Sequence, residues 1–241
     1  MSENEDRFLL DADERRVIGV LVEKSLTTPK YYPLTINAIV TGSNQKSNRD
    51  PLVEFVDEEV EEILSRLQRR GLVSEHYGAG GRTARWRQEF TYELELDGQQ
   101  MAVVAELLLR GPQTLGELRT RASRMKKIDD LATLNGVVKS LEILDCPRMV
   151  RLSPEDQKRG VRYTHGFYPK SEFDEIKAQE LSAAPSGVAK APRVISSSPN
   201  SDVVEELRAE IQALSTRVEH LESQLGIVSR ATEVSEQPSS R

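Results

Sequence analysis

Asp57-Glu-Glu-Val-Glu-Glu-Ile-Leu-Ser-Arg-Leu-Gln-Arg-Arg-Gly71-Leu-Val-Ser-Glu-His76 is the stretch whose reading decides the fold. Val60, Ile63, Leu64 and Leu67 fall on one face at helical spacing, with Asp57 as the expected cap and Gly71 as the stop. Leu72 to His76 then reads as a strand, and Ala84-Arg-Trp-Arg-Gln-Glu89 as its return. Gly78-Ala-Gly-Gly81 supplies the turn. Upstream, Pro33-Leu-Thr-Ile-Asn-Ala-Ile-Val40 predicts a short helix. Asp11-Ala-Asp-Glu14 opens another that carries Val17, Ile18, Val20, Leu21 and Val22. The polar run Ser43-Asn-Gln-Lys-Ser-Asn-Arg-Asp-Pro51 separates the second helix from the third.

The same order returns downstream. Gln99 to Arg110 is an apolar helix ended by Gly111-Pro112, and Thr114 to Arg119 is a short second helix. Arg119 to Asp130 is a basic stretch, and Leu131 to Leu144 a third helix. Arg148–Leu152 and Val161–Tyr168 make a second hairpin. Pro33-Leu-Thr-Ile is answered by Pro112-Gln-Thr-Leu, so the period is a duplicated domain of roughly 75 residues. Three helices and a hairpin form the winged-helix order, with helices two and three as a helix-turn-helix and the hairpin as the wing. The expected class is therefore α+β, mainly α. Two tandem winged-helix domains span 10–97 and 98–170.

Residues 171–202 read as a short helix and a flexible linker rich in Ser, Ala and Pro. Residues 203–229 follow with an unbroken heptad: Val204, Leu207, Ile211, Leu214, Val218, Leu221, Leu225 and Val228. β-Branched residues alternating with Leu favour a two-stranded coiled coil, hence a homodimer through this helix. The competing reading is a lone amphipathic helix folded back on the body.

Two long stretches also resemble the YceH-like bacterial family. They are Val22-Glu-Lys-Ser-Leu-Thr-Thr-Pro-Lys-Tyr-Tyr-Pro-Leu-Thr-Ile-Asn-Ala38 and Asn44-Gln-Lys-Ser-Asn-Arg-Asp-Pro51. The resemblance covers roughly residues 10–170. It implies a tandem winged-helix fold, no catalytic residues and an unknown function. The linker and the heptad tail lie outside it.

The chain of 241 residues carries 30% charged and only 5% aromatic residues. No apolar run approaches the roughly 20 residues of a membrane helix. Met1-Ser-Glu-Asn-Glu-Asp6 is acidic where a signal peptide would be basic, so a cytoplasmic setting is expected. One cysteine and three scattered histidines give neither a disulfide framework nor a metal site. No HExxH, GxSxG or P-loop pattern occurs, and Gly78–Gly81 joins two strands rather than cradling phosphate. Cys146 precedes Pro147 and reads as a structural thiol. An enzyme is not expected, nor is a cofactor.

The net charge of −6 is unevenly spread. Residues 1–97 hold 13 basic and 19 acidic side chains, and residues 98–170 hold 13 and 8. An anionic partner would therefore meet the middle. In the first domain, Asn44, Gln45, Lys46, Asn48 and Arg49 have base-reading and phosphate-holding chemistry. They read equally well as a polar loop capping helix ends. Arg82, Arg85 and Arg87 line the first wing, and alternation turns Trp86 to the core. The third helix of this domain opens with five carboxylates, which phosphates repel.

In the second domain Arg119, Arg121, Arg124, Lys126 and Lys127 precede the third helix, where a helix-turn-helix approaches DNA. Arg148, Arg151, Lys158, Arg159 and Arg162 charge its wing. Two functions of different class remain: association with double-stranded DNA, and a protein-protein scaffold built on winged-helix surfaces.

Overall fold

In a computed structural model of the chain, residues 6–77, 83–143 and 147–182 are described. All of them fall within one compact unit, Met1–Arg193. The fold is α+β and mainly helical. The heptad positions from Val204 to Val228, the glycine turn, Arg82 and Cys146 lie outside the described residues.

Helix α1 (Ala12–Thr27) is capped by Asp11, whose side chain accepts from Glu14 N at 2.8 Å while Glu14 bonds back to Asp11 N. This reciprocal pairing satisfies amides at the helix start. Helix α2 (Ile36–Ser43) starts later than its sequence suggested, because Thr35 is the cap and accepts from Ala38 N at 3.3 Å. Pro33 and Leu34 stay outside the helix, Pro33 in a bend and Leu34 in a β-bridge. Helix α3 (Asp57–Arg69) begins at Asp57 itself, with Val56 at the cap position and Glu59 accepting from Val56 N at 3.0 Å. Its apolar face buries Val60, Ile63, Leu64 and Leu67 as the spacing required. Gly71 takes φ +70° just past its end, in the left-handed region glycine favours.

Strands β1 (Val73–Tyr77) and β2 (Ala84–Gln88) pair antiparallel, Val73 opposite Gln88 and Tyr77 opposite Ala84. Leu34 bridges the far side of β2 at Trp86. A short helix α4 (Phe90–Glu93) follows, unforeseen in the sequence, and buries Phe90.

The second half repeats this plan. Helix α5 (Gly98–Arg110) is capped by Asp97. Strand β3 (Gln113–Thr114) leads into helix α6 (Leu115–Ala122), capped by Thr114 as Thr35 caps α2. Helix α7 (Leu131–Glu142) is capped by Asp130, which accepts from Thr133 N at 2.7 Å. Strands β4 (Met149–Arg151) and β5 (Arg162–His165) join β3 in an antiparallel sheet of order β3-β5-β4. β3 thus fills the place that Leu34 holds in the first half.

The second hairpin is shorter than the sequence implied. At Gly166 an added Cβ would lie 1.9 Å from Pro147 O, so the backbones touch there. Beyond it Phe167 and Tyr168 turn into the core, and Phe167 O accepts from Leu10 N at 2.8 Å. Helix α8 (Lys170–Ser182) closes the described fold and ties Glu172 to Arg15.

One apolar cluster runs through both halves, from Ile18, Leu21, Leu64 and Phe90 to Leu107, Leu109, Leu134 and Phe167. α1 and α5 cross at Gly19, where an added Cβ would meet Leu109 at 2.9 Å. Helix α1 is consequently buried on nearly all sides, including Glu14, Arg16 and Glu23.

Candidate nucleic-acid interface

The run Asn44–Arg49 is spent internally. The Asn44 amide clamps Phe55 twice, donating to its carbonyl and accepting from its N–H, each at 2.8 Å. The Arg49 side chain is 0% exposed. It donates to both Glu23 oxygens (3.3 and 2.6 Å), to Gly42 O at 2.9 Å and to Asn48 O at 2.8 Å. Gln45 Oε1 accepts from it at 2.8 Å, and Asn48 Oδ1 accepts from Arg110 at 2.6 Å. Asp50 N bonds to Leu109 O at 3.0 Å, so this loop of the first half is stapled onto α5 of the second. Lys46 and Ser47 are exposed, and Lys46, 86% exposed, lies 4.0 Å from Glu54. Of the two readings of this run, the geometry favours the capping loop.

On the first hairpin Trp86 is buried while Arg85 and Arg87 are exposed. Arg85 donates to Pro33 O at 3.0 Å, and Arg87 lies 3.9 Å from Glu89. The outer face of α3 presents Asp57, Glu58, Glu61 and Glu62 to solvent.

In the second half the cations divide. Arg119 donates to Asp129 O at 3.2 Å, and Lys127 pairs with Asp129 at 2.7 Å. Arg151 binds four oxygens along its own loop, those of Ser153, Pro154, Glu155 and Gln157. Arg162 donates to Pro112 O and pairs with Glu180 at 3.3 Å. Arg148 stacks its guanidinium over Phe8 at 5.7 Å. Lys126, Lys158 and Arg159 are exposed, and among the described residues none of the three has an ion-pair partner. Lys158 and Arg159 sit at the tip of the β4–β5 loop, next to Gly160 with φ +63°.

The outer face of α7 was not singled out in the sequence. Leu134, Val137, Val138 and Leu141 are buried, which leaves Ala132, Asn135, Gly136 and Lys139 facing out. Those positions are the helical complement of the apolar stripe, so the signal was present. No carboxylate stands among them.

Arg110 and Arg124 converge on Glu106, a carboxylate 1% exposed, while Arg121 pairs with Glu117 close by. Burial raises the Glu106 pKa, and Arg110, Arg124 and Arg121 oppose that rise. Nearby, burial and then the Arg49 charge lower Arg16 to about 10. Among the described residues no three His, Cys, Asp or Glu side chains are placed to hold a metal ion. Nor is any helix there long and apolar enough to cross a membrane.

Residues 10–158 match the model of a family described as a protein of unknown function, DUF480. The chain belongs to that family. It is also similar to a UPF0502 protein of Citrobacter koseri, 39% identical over 226 residues, covering 91% of this chain and 99% of the relative. The UPF0502 protein YceH of Salmonella paratyphi B is likewise 39% identical over 225 residues, with the same coverage. The YceH-like resemblance read from Val22–Ala38 and Asn44–Pro51 therefore holds.

Proposed function

We propose that the chain is a non-enzymatic, cytoplasmic, tandem winged-helix protein that associates with double-stranded DNA through its second half. It dimerises through a coiled coil over 203–229. The helix, helix, helix, hairpin order of each half supports the winged-helix reading, since α3 and α7 take the place of a third, groove-facing helix. One observation carries the DNA reading. The second half keeps Lys126, Lys158 and Arg159 exposed and unpaired among the described residues, and its α7 turns out Ala132, Asn135, Gly136 and Lys139 with no carboxylate among them. Phosphates favour such a surface and are repelled by the acidic face of α3.

The test is fluorescence anisotropy of a labelled mixed-sequence duplex with the full chain across a salt series. Binding that weakens linearly in log salt is expected. No binding at low salt removes the reading.

A second reading has its own support. Leu52 and Val56 are 59% and 54% exposed beside the acidic outer face of α3. An apolar and acidic surface of this kind suits a protein partner. The first half would then recruit protein while the second holds DNA.

A further inference from the structure

We propose that Arg110, Arg121 and Arg124 form a site for one phosphate group, donated by the DNA backbone, where the end of α5 meets α6. The choice of DNA as donor rests on the proposed DNA association; the site itself does not.

Arg110 and Arg124 pair with one buried carboxylate, Glu106, and the Arg121 charge is close enough to act on it. Arg110 Nε lies 3.0 Å from one Glu106 oxygen and Arg124 Nη2 lies 3.4 Å from the other. Arg121 is held alongside by Gln113 Oε1 at 2.7 Å and by Glu117 at 3.4 Å. Counting Glu106 and Glu117 against the three arginines leaves one positive charge over. Arg49 behind them adds none, because Glu23 matches it.

The cluster is also fixed before any ligand arrives. Arg124 Nε donates to Arg121 O at 3.1 Å, and Arg110 Nη2 donates to Asn48 Oδ1 at 2.6 Å. Holding guanidinium groups together costs repulsion. Burial lowers the Arg110 pKa, Glu106 opposes this, and Arg121, Arg124 and Arg49 lower it further. An anion set among them relieves that repulsion. The three side chains are 19%, 31% and 43% exposed, so the rim is reachable while the base is dry. A tetrahedral anion with several acceptor oxygens suits a cluster of planar donor forks.

The test uses the full chain and inorganic phosphate against chloride at equal ionic strength, read by thermal unfolding. With phosphate about tenfold above its Kd, the melting temperature should rise by roughly 3–6 °C. Arg121→Gln with Arg124→Gln should abolish the rise. It should also weaken a short duplex by roughly five- to tenfold and lower the salt slope by about 1. The melting temperature in chloride alone checks that this variant is folded. If it is not, Arg124→Lys keeps the charge, loses the fork, and should still reduce the rise.

A rise that survives in the double variant overturns the site, as does no rise in wild type together with unchanged duplex affinity. A rise lost in the variant while wild type binds no duplex supports the site, with free phosphate rather than DNA as its source. That outcome removes the DNA reading alone.

Discussion

Replacing Arg49 with Ala tests whether the Asn44–Arg49 loop is architecture or a reading surface. The guanidinium is 0% exposed and makes five hydrogen bonds, two of them to Glu23. Its removal leaves the Glu23 carboxylate, 10% exposed, with Lys24 at 3.6 Å as its one remaining ion-pair partner among the described residues. Breaking a buried pair from one side typically costs about 3–5 kcal/mol, mostly because a charge stays buried and unmatched. For a body of this size each kcal/mol moves the melting point by roughly 2–4 °C, so a fall of about 6–20 °C is expected. Urea unfolding followed by far-UV circular dichroism would measure the free energy directly. Arg49→Met with Glu23→Gln should recover part of the loss, since no lone charge then remains. Lys46→Ala, at 86% exposure, should change stability by less than about 0.5 kcal/mol. Were Arg49→Ala to unfold within about 1 kcal/mol of wild type, the clamp would be wrong. Loss of duplex binding in that stable variant would return Arg49 to the interface.

Other outcomes follow from the same packing. Trp86→Ala should cost about 3–5 kcal/mol, while Arg85→Ala with Arg87→Ala stays within about 0.5, both read by urea unfolding; equal losses would mean the strand faces are misassigned. His165 is buried, and burial followed by Arg15 holds its pKa well below the ordinary 6.5. The unfolded chain therefore binds a proton below about 6.5 that the folded chain refuses. Stability should hold above that pH and fall below it by about 1.4 kcal/mol per pH unit until the depressed folded pKa is reached. Urea midpoints between pH 7.5 and 5.5 should accordingly drop more in wild type than in His165→Phe. Truncation after Ser182 should leave a folded monomer by sedimentation equilibrium; a truncated dimer would place the interface in the body.

The helical stripe Val60, Ile63, Leu64 and Leu67 was legible because burial leaves a 3.6-residue period in any sequence. The hairpin around Trp86 was legible for the matching reason at period two. The echo of Pro33–Ile36 in Pro112–Leu115 pairs Thr35 with Thr114, and each of these caps a helix. What escaped was polar burial. Nothing in a single sequence separates Arg49, which is sealed against Glu23, from Lys46 three residues away, which faces water. Both are cations in a polar loop, and only the partner supplied by α1 tells them apart. Arg110 and Glu106 escaped likewise, because they lie on a helix read as apolar. α4 was missed because its single buried apolar anchor, Phe90, gives no period to detect. The heptad from Val204 to Val228 lies outside the described residues.

Whether the second half meets DNA turns on three exposed cations. The direct measurement is the slope of log affinity against log salt for wild type and for Lys126→Ala, Lys158→Ala, Arg159→Ala combined. Each phosphate left without its cation should flatten the slope by about 0.9, so the triple variant should be flatter by about 2–3, with its melting point unchanged. Lys46→Ala in the first half should leave the slope within about 0.3 of wild type. A triple variant with the wild-type slope, or a Lys46→Ala slope flatter by about 0.9, would contradict the account.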